Sequence, residues 1–305
     1  MEDLNYRMVL KWAHSWANAA GADDKLKQMI KKMLPPYIKA AKCIDKYSKQ
    51  YEIPCVFVES SKVQILRNAL TWTSGSPNIN LIKLTFNSEY TYFRDNPRYG
   101  FWKDEEIDPN IISKFKSFNN NRFPQPDQEI ELPENYDLFF LQIPHSKDRN
   151  ETIDALKYCK DRKIYTLFKG HPTSPFPGNK KVWDKLKEEG YVSEYSIYVE
   201  AETDFLIKNA RRTYSSTSVC SLNSILQNKI TATYNDNDLS EIVPTMKTAY
   251  ELDDVEPIKQ EDIERYLSWY YHKLCIDVYN ENCDERIEKR ILNFKNKVPM
   301  REFLS

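Results

Sequence analysis

Two short polar segments in the second half of the sequence combine residue types that bind anions. Lys169-Gly170-His171-Pro172 follows the apolar run 163–168, and Ser215-Ser216-Thr217-Ser218 follows the run 212–214. Hydroxyl residues at a helix N-terminus offer side-chain donors, free backbone N–H groups and the positive end of the helix dipole. A lysine and a histidine at a neighbouring strand end add donors to the same anion. Either segment alone also fits a structural role, as an N-cap or a His-Pro turn, but together they predict a phosphate site.

The amino-acid composition limits the form that such a site can take. The 305 residues include only 6 glycines, and neither a G-x-G-x-x-G nor a Walker A sequence is present. A phosphate group would therefore be held without a glycine-rich loop. Lys+Arg is 44 and Asp+Glu is 45, so the net charge of −1 argues against a generally basic nucleic-acid-binding protein.

The sequence also favours a cytoplasmic location. No apolar run approaches the roughly 20 residues of a membrane helix, and the acidic start Met1-Glu2-Asp3 lacks the apolar core of a signal peptide. The 6 cysteines include no C-x-x-C pair, which indicates reduced thiols. The 4 histidines do not cluster with cysteines at ligand spacing, so a zinc site is not expected.

The second half of the chain alternates strands with helices, which predicts βαβ units on a parallel sheet. The predicted strands are 137–142, 163–168, 196–199, 212–214 and 229–234. The predicted helices are 151–162, 180–189, 203–209 and 217–227. Because ligands bind at the carboxyl ends of such strands, the two polar segments are expected at the ligand-binding edge.

The first half begins with predicted helices over 3–20, 25–34 and 36–49, the last two separated by Pro35-Pro36. Strands over 54–58 and 79–86, a helix over 62–72 and a linker over 119–133 follow, and the tail 261–295 is predicted to be helical. We expect a first domain with a helical start over 1–133, a Rossmann-like domain over 134–260, and C-terminal helices over 261–305 that pack across both. The lysines between Lys25 and Lys46 indicate either a solvated helix face or a docking surface for an anionic partner.

Several motifs resemble those of the capsule polysaccharide biosynthesis family, which includes Kdo transferases. The family has a K-x-H-P motif, then S-S-T-V, a Glu, and a helix that ends L-x-G-K-P. Segments 168–172, 214–219 and 223–229 resemble these motifs. Segment 141–148 is similar to the family's strand-terminal L-Q…D, and segment 86–95, with Pro109-Asn110 beyond it, is similar to its F-x-E-G-Y-x-R. This sequence differs at Asn223, where the family has the Glu, and at Asn228-Lys229-Ile230, where it has G-K-P.

The resemblance implies an α/β protein of the GT-B glycosyltransferase type, with two Rossmann-like domains facing across a cleft and the nucleotide on the second. The substrate would be a nucleotide-sugar, no further cofactor or metal is expected, and the acceptor would be a glycan. The implied nucleotide-sugar-binding residues are Gln142, His145, Lys169, His171, Pro172, Ser215, Ser216, Thr217, Ser218 and Asn223.

The chemistry of sugar transfer assigns roles to some of these residues. Negative charge develops on the leaving phosphate, and His171, Lys169 and the Ser215–Ser218 segment would stabilise it. The acceptor hydroxyl needs a general base, for which Glu89 is the first candidate and Asp95 the second. Glu89 equally fits an exposed carboxylate at a strand end.

Other hypotheses remain open. Asp236 and Asp238 have the D-x-D spacing by which GT-A enzymes bind Mg²⁺ or Mn²⁺, although Asn235-Asp236-Asn237-Asp238 is also typical of a turn. A DNA glycosyltransferase acting on a hydroxymethylated base would use the basic helices and the aromatic stretch 90–102. A non-catalytic sugar-nucleotide-binding partner protein would keep the anion site without a working base.

Overall fold

The computed structural model describes residues 3–17, 24–57, 70–74, 80–86, 100–119, 131–141, 146–170, 178–216, 220–235, 239–298 and 302. The chain divides into two compact units, the first formed by 1–118 and 264–305 and the second by 119–263. The sequence puts the corresponding boundaries at 133/134 and 260/261. In the structure, residues 264–305 cluster with the first unit.

The elements follow one another along the chain with short helices and strands in alternation. The helices are α1 (Leu4–Ala17), α2 (Asp24–Tyr51), α3 (Pro109–Asn119), α4 (Ser146–Arg162), α5 (Gly178–Glu188), α6 (Thr203–Asn209), α7 (Cys220–Leu226), α8 (Gln260–Trp269) and α9 (Cys283–Lys295). The strands are β1 (Cys55–Phe57), β2 (Leu70–Ser74), β3 (Leu81–Phe86), β4 (Asp137–Phe140), β5 (Thr166–Lys169), β6 (Ser196–Val199), β7 (Arg212–Ser215), β8 (Ile230–Thr233) and β9 (Cys275–Asp277). A 3₁₀ helix over Ala249–Asp254 and a π-helix over Tyr270–Leu274 complete the described elements.

The described strands of the first unit form a mixed sheet in the order β1-β2-β3-β9. Only β1 and β2 are parallel, and β2-β3 and β3-β9 are antiparallel. A parallel pair needs a crossover of a dozen or more residues, and the segment 75–80 between β2 and β3 is too short for one. Among the described strands, the wholly parallel sheet of a Rossmann-like unit is found in the second unit.

Three predictions for the first unit are wrong. Helix α2 continues through Pro35-Pro36, because its buried side, with Ile30, Tyr37 and Ile44, packs in the core and outweighs the missing hydrogen bonds. Residues 70–72, the end of the predicted helix 62–72, belong to β2. The tail contains β9, whose three residues carry little local signal and become a strand by pairing with β3.

The second unit contains a five-stranded, wholly parallel sheet in the order β6-β5-β4-β7-β8. All five strands predicted from the sequence are confirmed, and so are the helices between them, so the α/β class holds. One face of the sheet packs around Phe139, Phe168 and Tyr214, and the other around Leu138, Phe140 and Leu206. The strand order reverses at β4, which makes the β4–β7 boundary the topological switch point where ligands bind in such sheets.

A buried charge network lies at the amino ends of β4 and β7, opposite the ligand-binding edge. The side chain of Asp137 is 0% exposed and accepts hydrogen bonds from Arg211 at 3.0 Å and from Arg212 at 3.2 Å. Arg212 also donates to the hydroxyl of Tyr158 and to the carbonyl of Leu252, both at 2.7 Å. These contacts stabilise the sheet at the end where no ligand is expected.

All six cysteines are free thiols. Within the described ranges, none of the helices combines the length and the apolar character that crossing a bilayer requires.

A buried carboxylate in the first unit predicts how the protein responds to acid. Asp277 accepts hydrogen bonds from Lys114 and Tyr271, both at 2.7 Å, and from the backbone N–H of Tyr279 at 3.0 Å. Burial alone would raise the pKa of Asp277, but these hydrogen bonds lower it below the ordinary 3.8. A carboxylate with a lowered folded-state pKa contributes stability above its unfolded pKa and loses that contribution as the pH falls through the folded one.

Asp277→Asn is therefore expected to lower the free energy of unfolding by about 1.5–3 kcal/mol near neutral pH. The difference from the wild type should shrink as the pH falls below about 4. Urea unfolding at several pH values measures it, with the exposed Asp104→Asn as control. A difference that does not change with pH would contradict the role given to the ionised carboxylate.

Candidate functional site

The carboxyl ends of the five parallel strands form one row of side chains. The last residues of β6, β5, β4, β7 and β8 lie side by side in register, and they are Val199, Lys169, Phe140, Ser215 and Thr233. Residues in register on parallel strands point to the same face of the sheet. Since Phe140 and Val199 belong to the core beneath α6 and α7, Lys169 and Ser215 point to that face too.

Lys169 is the unusual member of this row. Its side chain is buried among apolar residues, with the residue only 3% exposed. Its Nζ donates to the carbonyl of Gly170 at 3.4 Å, and it forms no ion pair with any residue that the structure describes. Burial lowers the pKa of Lys169, while the Cys220 thiol and the Glu200 carboxylate act in the opposite direction. A buried ammonium with so little compensation is costly, and an anion at this edge would remove much of that cost.

The hydroxyl segment follows β7, which β4 separates from β5, so it is not on the strand next to Lys169 as the sequence suggests. The first half of the segment is inside the protein. Ser215 is 0% exposed and its Oγ lies 3.0 Å from the Oγ of Ser221. Ser216 is 2% exposed, and its Oγ accepts a hydrogen bond from Asn235 at 2.8 Å. The described part of helix α7 begins at Cys220. Ser215 and Ser216 therefore anchor the start of the segment rather than presenting both hydroxyls to solvent.

The sequence did not identify two polar residues at this edge as parts of the site, and these are Asn235 and Glu151. The Asn235 amide also donates to the Glu151 carboxylate at 2.7 Å, so Asn235 joins the end of β8 to helix α4. Asn235 belongs to the segment in which the sequence suggests a D-x-D motif. Its position directly after strand β8 was the available signal, but its partner lies 84 residues away along the chain.

Asn223 lies on α7 and contacts helix α6 through Asp204. Its Nδ2 donates to Asp204 at 3.4 Å, and its Oδ1 is buried without a hydrogen-bond partner among the described residues. Burial and the charge of Glu202 raise the pKa of Asp204, and the hydrogen bond from Asn223 opposes that rise. A buried carbonyl oxygen without a donor is suited to accept a hydrogen bond from a ligand hydroxyl.

The remaining candidate residues stay predictions from the sequence. Those that lie outside the described residues are Glu89, Asp95, Gln142, His145, His171, Pro172, Thr217 and Ser218, and so are Asp236 and Asp238. Four of the undescribed segments begin two or three residues after the ends of strands β4, β5, β7 and β8. These segments are 142–145, 171–177, 217–219 and 236–238. In the part of the chain that the structure covers, no three His, Cys, Asp or Glu side chains lie close enough together to hold a metal ion.

No protein-family model matches the sequence, and no curated protein matches it. Similar solved structures include KpsC from Thermosulfurimonas dismutans. Its beta Kdo 2,4 transferase has a TM-score of 0.46 at 10% identity, over 78% of this chain and 86% of that one. Its beta Kdo 2,7 transferase has a TM-score of 0.43 at 13% identity, over 83% of this chain and 89% of that one. A UDP-GlcNAc 2-epimerase from Methanocaldococcus jannaschii has a TM-score of 0.31 at 16% identity, over 65% of this chain and 51% of that one.

Proposed function

We propose that this protein is a GT-B glycosyltransferase that moves a sugar from a nucleotide-sugar donor to a hydroxyl of a polysaccharide, without a metal ion. The observation that carries the proposal is the buried Lys169 ammonium at the carboxyl edge of the parallel sheet. A donor phosphate bound there would supply the negative charge that the described surroundings of Lys169 only partly provide. The K-x-H-P-like and S-S-T-like motifs at this edge support the same assignment.

The switch point of the sheet supports the placement of the donor. Gln142 and His145 follow β4 along the chain by a few residues, and Ser215 ends β7. In our proposal Gln142 and His145 bind the nucleotide-sugar, and Asn223 accepts a hydrogen bond from one of its hydroxyls at the buried Oδ1. Pro172 fixes the turn after His171.

The reaction transfers the sugar between two oxygens. The bond between the anomeric carbon and the phosphate oxygen breaks, and the acceptor oxygen bonds to the same carbon. The electron pair of the broken bond goes to the phosphate, where Lys169, His171 and the hydroxyls of Thr217 and Ser218 donate hydrogen bonds to the developing charge. Such preorganised donors act most strongly where water is excluded, as it is around Lys169.

Two further roles complete the proposed mechanism. The buried Ser215 and Ser216 hold the start of the hydroxyl segment through their contacts with Ser221 and Asn235. The proton of the acceptor hydroxyl passes to Glu89, with Asp95 as the alternative base.

Removing the imidazole of His171 tests the proposal. A thermal-unfolding screen of nucleotide-sugars first identifies the donor, since a ligand at about 100 times its Kd adds about 2.7 kcal/mol of stability. With that donor, His171→Ala is expected to lower the transfer rate about 100-fold or more, because one donor to the developing charge is lost. The matched control is His14→Ala on the exposed side of α1. Unchanged turnover in His171→Ala, or no stabilisation by any nucleotide-sugar, would overturn the proposal.

A further inference from the structure

Helix α2 carries a continuous row of exposed lysines. We call this row the α2 lysine stripe, and it consists of Lys31, Lys32, Lys39, Lys42, Lys46 and Lys49. With 3.6 residues per turn, these positions fall within about 100° of the helix circumference and extend over roughly 25 Å of its length. The rest of the helix circumference is buried, so the stripe is the face of α2 that meets solvent.

The charge of the stripe is largely uncompensated. Between Asp24 and Tyr51 the helix contains one carboxylate, Asp45, and that carboxylate is buried and accepts hydrogen bonds from the backbone N–H groups of Asn5 and Tyr6. Lys46 lies 3.8 Å from Asp284 on α9. Of the other five lysines of the stripe, four form no ion pair with any residue that the structure covers, and these are Lys31, Lys32, Lys39 and Lys42. Clustered charges of one sign attract a polyanion.

Tyrosine rings accompany the lysines. The Nζ of Lys39 lies 5.3 Å from the ring centroid of Tyr279, which is 54% exposed, and the Nζ of Lys42 lies 5.6 Å from that of Tyr6. An exposed tyrosine offers an apolar ring face and a hydroxyl to the same ligand. The surface therefore suits a partner that combines repeated negative charges with apolar faces.

Nucleic acid fits this surface less well. Single strands are held by a series of exposed rings on which successive bases stack, and Tyr279 is the one described aromatic residue beside the stripe that is mostly exposed. Duplex DNA is bound largely through its phosphates, and the net charge of −1 argues against a generally basic nucleic-acid-binding protein.

We propose that the α2 lysine stripe binds a linear acidic polysaccharide with carboxylates spaced along the chain. This inference rests on the proposed function, because it names the chemical class of the acceptor. The lysines hold the carboxylates as point charges, and the Tyr279 ring packs against a sugar ring.

Binding of a fluorescent polygalacturonate, measured by anisotropy without any donor, tests the inference. The wild type is expected to bind polygalacturonate at low salt and to lose about tenfold in affinity between about 50 and 200 mM NaCl. It is not expected to bind uncharged dextran. Lys39→Glu/Lys42→Glu is expected to weaken binding about tenfold or more. Lys157→Glu/Lys187→Glu, which changes two exposed lysines of the second unit by the same charge, is expected to bind like the wild type.

Three results would overturn the inference: no binding at low salt, equal loss in both double variants, or tighter binding of a single-stranded or duplex oligonucleotide that is lost in Lys39→Glu/Lys42→Glu. Donor binding is measured separately by calorimetry with nucleotide-sugars. Donor binding without polygalacturonate binding therefore rejects the inference alone, and polygalacturonate binding without donor binding rejects the glycosyltransferase proposal.

Discussion

Lys169→Met is expected to make the folded protein more stable while it weakens binding of a nucleoside diphosphate. The substitution removes an ammonium that burial holds at a lowered pKa and keeps a side chain of similar length. Replacing a buried charge that lacks full compensation by an apolar group raises the free energy of unfolding, here by about 1–2 kcal/mol. Urea unfolding measures the change.

The same substitution removes the charged donor of the proposed phosphate site. A hydrogen bond between charged groups is worth about 1.5–3 kcal/mol, so the affinity for the nucleoside diphosphate should fall about 10- to 100-fold in calorimetry. Lys187→Met, on the exposed side of α5, is the matched control and should change neither property. A variant that is less stable, or that binds as tightly as the wild type, would contradict the role of Lys169.

The lowered pKa of Lys169 also determines how the stability of the protein changes with pH. Lysine has an ordinary pKa of 10.5, and that of Lys169 is lower in the folded protein. Between these two values the unfolded chain holds the proton that the folded one has released, so the wild type gains stability as the pH rises through this window. The Met variant should lack this gain.

Asp137→Asn is expected to be the most destabilising single change in the second unit. The substitution leaves the guanidinium of Arg212, whose side chain is 10% exposed, without its buried carboxylate partner. Removing one partner of a buried ion pair costs about 3–5 kcal/mol, because the remaining charge stays desolvated. Urea unfolding of Asp184→Asn provides the control, since the side chains of the Lys180–Asp184 pair are 43% and 49% exposed and such pairs contribute up to about 1 kcal/mol.

A second variant separates charge burial from packing. Asp137→Leu/Arg212→Met removes both buried charges, and Arg211, with a side chain 44% exposed, can turn to solvent. Most of the stability lost in Asp137→Asn should therefore return in the double variant. A double variant as unstable as Asp137→Asn would mean that the hydrogen bonds to Tyr158 and Leu252, and not the buried charge, stabilise this end of the sheet.

The fold of the second unit is predictable because each of its strands is marked by a local pattern in the sequence. Leu138, Phe139 and Phe140 form an apolar run that is buried on both faces of the sheet, and the same pattern recurs in each parallel strand. The first unit is different, since β9 exists by pairing with a strand far away in the sequence. Pro35 and Pro36 also misled the prediction, because a proline's local cost is visible in the sequence and the compensating burial of α2 is not.

In the candidate site, too, the local features could be predicted and the long-range contacts could not. The sequence places Lys169 at a strand end, and the structure confirms that position. Its burial could not be predicted, since it depends on α6 and α7 covering that face of the sheet through residues such as Leu206 and Ile207. The contact of Asn235 with Glu151 likewise joins two residues that no local pattern connects.

The pairing of β3 with β9 has a consequence for how the protein is made on the ribosome. Ile82 pairs with Ile276, so the first unit cannot close this sheet until β9, which follows the whole of the second unit along the chain, has emerged. The second unit, whose strands all lie between Asp137 and Thr233, can be completed before then. During that interval the edge of β3 is uncovered, which makes the nascent chain dependent on chaperones or on fast elongation to avoid pairing with other chains.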